Sequence, residues 1–379
     1  MQGFSRDKKI YIFIQFLIDS RMKRIPVILF FVLLLFNPAF AQDSKEKTGF
    51  RENTSISGEW FLGFGYNDNK KLNSFRLKRA YFTIKTRLND VFSVRYTQDI
   101  TTDQEGGDIG NVEMRLKYLL LKAKTNDIFF LKDTYLEFGL VHRPWLDYEQ
   151  KSTGYRVQGK MFSDRYHLLS SADFGVSFAG LIGKKISEEY QEKVSPDYPG
   201  RYGSFCFGIY NGGGYHALEY NNNKIVEGRV SLRPLPDIIP GVQFSYSFSR
   251  GKSNTETNNA DYRLNIFHLS SVSAGHKLML QYYRGKGGFY DQYISADGYS
   301  YSNEGYSGFA ELMIPETRFS LFTRYDKLIS YQEDEIIQET FIAGLTYRFL
   351  KNKVLLNYDR YKYMGVYTRI YEMALEINF

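Results

Sequence analysis

From Ser57 to the C-terminal Phe379, apolar and polar side chains trade places at every second position in segments about ten residues long. Alternation of this kind puts successive side chains on opposite faces of a strand, one oily and one wet. Clusters of Gly, Asn, Asp and Ser separate the segments and read as turns. The pattern predicts sixteen strands, with cores at 57–67, 75–88, 91–100, 110–123, 132–142, 173–183, 202–211, 223–233, 241–250, 261–271, 274–284, 305–313, 317–326, 338–349, 352–361 and 367–379. The last segment is the cleanest: Tyr371, Met373, Leu375, Ile377 and Phe379 share one face, and Glu372, Ala374, Glu376 and Asn378 the other.

The links between segments also alternate in length. Short ones such as Asn89-Asp90, Val272-Ser273, Pro315-Glu316 and Lys351 follow even strands, while 101–109, 143–172, 212–222 and 285–304 follow odd ones. Transmembrane barrels have this asymmetry, with short periplasmic turns and long extracellular loops. Two links break it: the long stretch after strand six and the short one at 362–366. A soluble sandwich would alternate as well, with its apolar faces in a shared core. A closed sheet of about sixteen strands inverts that arrangement, with oil outside and an aqueous channel inside. The expectation is therefore an all-β, transmembrane antiparallel barrel over 57–379.

The start of the chain supports export. Met22-Lys23-Arg24, the apolar run 25–36 and Ala39-Phe40-Ala41 make the three regions of a secretory signal peptide, with cleavage after Ala41 and a start at Met22. Residues 42–56 then form a periplasmic N-terminal segment. The leader carries most of the excess charge: without it 43 basic residues face 40 acidic ones, and they are interleaved rather than clustered as a nucleic-acid surface requires. A lone Cys206 in an alternating run rules out an internal disulfide and reads as a small hydrophobe.

Several stretches resemble one known family. "RYGSFCFGIYNGGGY" (201–215), "NNNKIVEGRVSLRPLP" (221–236) and "IPGVQFSYSFSRG" (239–251) are similar, in order, to the strands and turns of the phosphate-selective porin O and P group, and "LEFGLVHRPW" and "MFSDRYHLLSSADFGVSFAG" to the segments flanking its constriction loop. The resemblance implies a trimeric channel in a Gram-negative outer membrane whose third extracellular loop folds inward. The strand count independently puts the longest loop, 143–172, in that place, with Arg143, Lys151, Arg156, Lys160 and Arg165 against Asp147, Glu149 and Asp164. The C-terminal strand ending on Phe379 resembles the signal read by the barrel-assembly machinery.

Strand parity puts Arg79, Lys85, Arg87, Arg95, Arg115, Lys117, Arg229, Arg263, Lys277, Arg318, Arg324, Arg348 and Lys353 on the inner face, with Glu59, Asp99, Glu113, Glu137, Glu227, Asp359, Glu372 and Glu376. Arg and Lys in excess bias a pore toward anions such as phosphate, because fixed donors meet oxyanions in a low-dielectric wall. The competing use of these charges is interstrand ion pairing that stiffens a hydrated wall. Other readings of the barrel are a carbohydrate-selective or general porin, or a non-conducting structural or binding barrel. His268-Leu269-Ser270 places two side chains on one face but has no companion Asn. "NGGGY" precedes no helix, and "DQEGGDIG" has too few ordered carboxylates for a calcium loop. The expectation is no enzyme, no cofactor and no metal.

Overall fold

A computed structural model describes residues 52–103, 109–256, 260–289, 292–332 and 335–379. The expected leader, the start at Met22, residues 42–51 and most of the 103–110 stretch lie outside the described residues. Sixteen strands follow in chain order: β1 (Thr54–Asn67), β2 (Leu72–Arg87), β3 (Phe92–Thr102), β4 (Val112–Lys124), β5 (Leu131–His142), β6 (Ala172–Ile182), β7 (Gly203–Tyr210), β8 (Ile225–Leu232), β9 (Val242–Lys252), β10 (Asp261–Val272), β11 (His276–Lys286), β12 (Ser302–Met313), β13 (Phe319–Tyr331), β14 (Glu335–Phe349), β15 (Asn352–Tyr363) and β16 (Val366–Asn378). Each pairs with its sequence neighbours, and β1 pairs antiparallel with β16 to close the barrel. Closure removes every free sheet edge. Every expected strand is present. The largest difference is at β13, which continues to Tyr331 because Leu328 and Ser330 keep the alternation past Asp326-Lys327.

The seam is set by the C-terminal residues. Gly58 N–H donates to the Phe379 carbonyl at 2.9 Å, and the Phe379 N–H donates back at 3.1 Å. A Cβ on Gly58 would sit 2.1 Å from the Phe379 ring, so only glycine lets that ring lie across β1, edge-on to Trp60 at 5.1 Å.

The faces are inverted relative to a soluble sheet. Trp60, Phe138, Phe244, Phe267, Leu280, Leu321, Leu356 and Met373 are exposed, whereas Asp99, Glu227, Arg229, Glu311, Asp326 and Thr346 are buried. The wall's polar groups are thus on the inside, where they pair with one another and with the connecting segments. Among the described residues no helix is long and apolar enough to cross a membrane.

Two features complicate simple parity. Register shifts lie at Phe61/Leu62 between β1 and β2, at Thr97/Gln98 between β3 and β4, and at Lys132/Tyr135 between β5 and β6. Each extra residue swaps which alternate set faces inward. In β10 there is no shift and even positions stay inward throughout, but in the first half the polarity of the faces is reversed: Tyr262, Leu264 and Ile266 are buried, while Arg263 is exposed.

Among the described residues the links carry three short helices. α1 (Leu146–Thr153) and α2 (Phe162–Arg165) lie in the β5–β6 link, and α3 (Glu188–Lys193) in the β6–β7 link. Trp145, Tyr148, Phe162, Tyr166, Leu168 and Leu169 of the β5–β6 link form one buried cluster with Ile225, Tyr262, Leu264, Ile266, Tyr283 and Leu328 of the strands. That cluster is the physical reason for the reversed half of β10, since burying such side chains contributes about 1.5–3 kcal/mol each.

Candidate functional site

The inner surface is built from strand cations and the two links that meet them. A segment that leaves the sheet takes unpaired backbone carbonyls with it, and inside a protein each needs a donor. The strands supply them. Arg229 Nε donates to the Pro144 carbonyl at 3.0 Å, Lys277 Nζ to Thr153 at 3.2 Å, Lys353 Nζ to Gly154 at 2.5 Å, and Lys78 Nζ to Gln158 at 2.9 Å. Arg324 Nη1 donates to the Lys160 carbonyl at 3.1 Å and the Tyr262 hydroxyl to Leu168 at 2.7 Å. Six strands thereby hold one link by its backbone. Side chains add to this: Tyr155 donates to Glu311 at 2.5 Å, and Gln158 Nε2 donates to Asp359 at 3.1 Å.

The β6–β7 link, which broke the expected length pattern, meets the first one. Tyr198 donates to Asp147 at 2.6 Å, its ring packs 5.0 Å from Tyr148, and Arg229 lies over both rings. The β7–β8 link contributes Tyr215, which donates to Asp99 at 3.0 Å beside Arg79. Tyr198 and Tyr215 were not legible as site residues, because both lie outside any alternating segment.

Most of the cations expected to meet solute are occupied in the wall. Arg79 pairs with Asp99 at 2.5 Å, Arg324 with Asp326 at 2.9 Å, and Arg348 with Glu311 while donating to Ser320 at 2.8 Å. Arg115 lies 3.4 Å from Glu113, and Arg229 also donates to Ser204 and Ser231. In the loop, Arg143 pairs with buried Glu227, Arg165 lies 3.5 Å from Asp326, and Arg156 and Lys160 lie 4.0 and 3.8 Å from Asp164. Lys151 pairs with Asp147 at 2.9 Å. Two expectations fail. Arg263 belongs to the outer face, 61% exposed and 3.4 Å from Asp261, because the covered inner wall is apolar there and the polar residues turn outward. Arg318 is exposed in the turn before β13, outside the strand wall, where alternation no longer applies.

The register shifts explain what parity missed. Arg76 and Lys78 both reach Glu372 at 2.5 Å, although Arg79 is also inward. The sequence signal was "RLKRAY": Lys78 and Arg79 are adjacent, and both can face inward only across a bulge. In β4, Lys117 lies over the Tyr81 ring at 4.2 Å, and Lys122 over Tyr135 at 3.2 Å.

These lysines line open space. A cavity of about 890 Å³, at the end of the barrel with the β2–β3 and β4–β5 turns, is bounded by nine cations, among them Lys85, Arg95, Lys122 and Lys124, and by four carboxylates, Asp127, Asp133, Glu137 and Asp147. A second cavity of about 510 Å³ shares Lys85, Arg95, Asp147 and Lys151 with it and adds Lys117, Arg156 and Lys353. Among the described residues Lys85, Lys117, Lys122 and Lys124 have no carboxylate within ion-pair distance. Cys206, buried in β7, also borders the larger cavity, and the buried His268 packs edge-on against Trp145 at 5.3 Å.

The chain matches no protein-family model, and no curated protein is similar to it in sequence. Solved structures are similar in shape. Salmonella typhi OmpF, in complex with daunomycin, superposes with a TM-score of 0.58 at 12% identity, covering 86% of this chain and 98% of its own. The trimer form of in-vitro folded OmpT, an outer membrane protein of Vibrio cholerae, gives 0.54 at 12% identity over 86% and 99%. The anion-selective porin from Comamonas acidovorans gives 0.55 at 10% identity over 86% and 99%. The fold is that of the bacterial outer-membrane porins.

One group on the loop titrates near neutrality. Burial pushes the Glu149 carboxyl, in α1, up to about 7, against the opposing charge of Arg324. A carboxyl raised in the folded state keeps a proton that the unfolded chain has already lost. Its stabilising effect is full below the unfolded value of 4.5 and fades as pH rises through about 7. Thermal midpoints in detergent should fall between pH 5 and pH 8, and Glu149→Gln should flatten that slope. A slope unchanged in the variant would exclude Glu149 as its source.

Proposed function

We propose that this chain is an outer-membrane porin, a passive diffusion channel that prefers small anions such as phosphate. The observation that carries the reading is the 890 Å³ inner cavity with nine cations to four carboxylates, where three lysines, Lys85, Lys122 and Lys124, keep their charge unpaired. Low-dielectric walls focus such a field and raise the local concentration of counter-ions. Solutes move down their own gradients, so neither a cofactor nor a catalytic step is needed. The apolar outer face suits lipid, and a closed sheet satisfies its backbone there. In this reading a leader cleaved after Ala41 delivers the chain to the periplasm, the barrel-assembly machinery reads the strand ending on Phe379, and three copies associate. Segment 143–172, held by its carbonyls, narrows the passage.

A second reading is favoured by the apolar cluster of Trp145, Tyr148, Phe162 and Tyr166, which fills part of the interior: a barrel plugged by its own loop. Planar-bilayer recording of the purified protein separates the two. We expect stepwise conductance and, in a tenfold salt gradient, a reversal potential of the sign that reports anions over cations. No conductance favours the plug, and a cation-selective current removes the anion path.

A further inference from the structure

The outer face of β8–β13 carries a feature that the channel does not use. An apolar concavity of about 760 Å³ lies there, bounded by Phe244, Phe267, Leu269, Leu280 and Tyr306. Gly308 opens its floor: a Cβ there would meet only Leu280, at 3.7 Å. Above it, Tyr246, Phe267, Tyr282 and Tyr306 stand in register on four adjacent strands, their ring centroids 5.1, 6.4 and 5.3 Å apart.

Further along the same strands the surface becomes cationic. Two residues above the aromatic row come Asn265 and Arg284, with Glu304 opposite Arg284 but engaged by the Tyr282 and Tyr331 hydroxyls, and two above those Arg250, Arg263 and Lys286, again in register. Each step of two residues rises about 7 Å. Like charges directly opposite on neighbouring strands repel, so Arg263 between Arg250 and Lys286 is unfavourable unless an anion joins them. In the upper row one carboxylate, Asp261, is shared by Lys252 at 2.6 Å, Arg263 at 3.4 Å and Lys286 at 4.0 Å. Arg250 is held in place by donating to the Leu264 carbonyl and to Asn265 Oδ1, both at 2.6 Å.

We infer that this face binds one phosphate-bearing lipid, with its acyl chains in the groove and its phosphate on Arg250, Arg263 and Arg284. The groove supplies the apolar half of the recognition, the belt of rings marks the membrane interface, and guanidinium forks match phosphate oxygens. The inference rests on the membrane-spanning reading proposed above.

The test reconstitutes the full chain into phosphatidylcholine bilayers containing a minority of phosphatidic acid and counts retained lipids by native mass spectrometry after detergent release. The protein should keep phosphatidic acid in preference to phosphatidylcholine, and millimolar inorganic phosphate should not displace it. Arg250→Gln/Arg263→Gln/Arg284→Gln should cut that retention roughly tenfold, as lost charge-assisted contacts would. Gly308→Trp, which fills the groove without touching the cations, should do the same, and neither variant should alter single-channel conductance. Retention unchanged in both variants overturns the inference, and so does displacement by inorganic phosphate, which would make the cations a site for free anions. A protein that inserts and conducts but keeps lipids indiscriminately overturns this inference alone, whereas failure to insert overturns the membrane-spanning reading as well.

Discussion

Glu227→Leu should lower the temperature at which the folded barrel opens further than any other single change considered for this chain. Glu227 and Arg143 are 2% and 1% exposed, and Arg143 Nε donates to Glu227 Oε2 at 3.0 Å. Ser249 donates to the other oxygen of the carboxylate at 2.6 Å. Removing one partner of a buried pair leaves an uncompensated charge and costs about 3–5 kcal/mol, whereas removing both in favour of apolar groups of similar volume is often near neutral. Arg143 is also the root of the β5–β6 link, so the loss should appear twice: as a lower midpoint for the heat-induced gel shift from folded to unfolded barrel, and as added current noise from a loosened loop. The double replacement Arg143→Met/Glu227→Met should recover most of the midpoint. Equal midpoints for Glu227→Leu and the unmodified protein would show that the pair does not anchor the link.

The barrel was legible because its physics repeats. Each strand must separate an apolar face from a polar one, and that demand writes a period of two into β9, β13 and β16 that no turn disturbs. The site was legible only where the pattern ran without interruption. Arg79, Lys85, Arg229, Arg324 and Arg348 follow parity, yet parity cannot tell a cation that meets solute from one that caps a loop carbonyl. That distinction needs the path of segment 143–172. The bulges at Lys78 and Lys117 cost the reading Arg76, Lys122 and Lys124, since one inserted residue exchanges the faces. Arg263 was lost for another reason: Tyr262, Leu264 and Ile266 turn inward because Trp145 and its neighbours cover them, and no local pattern announces a cover that arrives from more than a hundred residues away.

The same distinction decides which charges set selectivity. Lys160 and Arg165 were the sequence's candidates, but Arg165 is tied to Asp326 and donates to the Lys160 carbonyl at 3.1 Å, which makes it part of the loop's fastening. Lys85, Lys122 and Lys124 instead border the open cavity with no carboxylate in reach. Replacing all three by glutamate leaves six cations against seven carboxylates around that cavity. At an effective dielectric between water and protein each reversed charge is worth about 1 kcal/mol or more to a passing ion, so the preference should fall at least roughly tenfold and the reversal potential should change sign. Low ionic strength is the place to measure it, because the Debye length is about 30 Å at 0.01 M but 10 Å at 0.1 M. Lys277→Met is the matching control: it removes a donor to the Thr153 carbonyl, and should loosen the loop while leaving the sign of the reversal potential unchanged. If the triple lysine variant keeps its anion preference while reversal at Lys160 abolishes it, the loop rather than the turn-side cavity governs which ions pass. The lysines would then serve only to keep the wall wet.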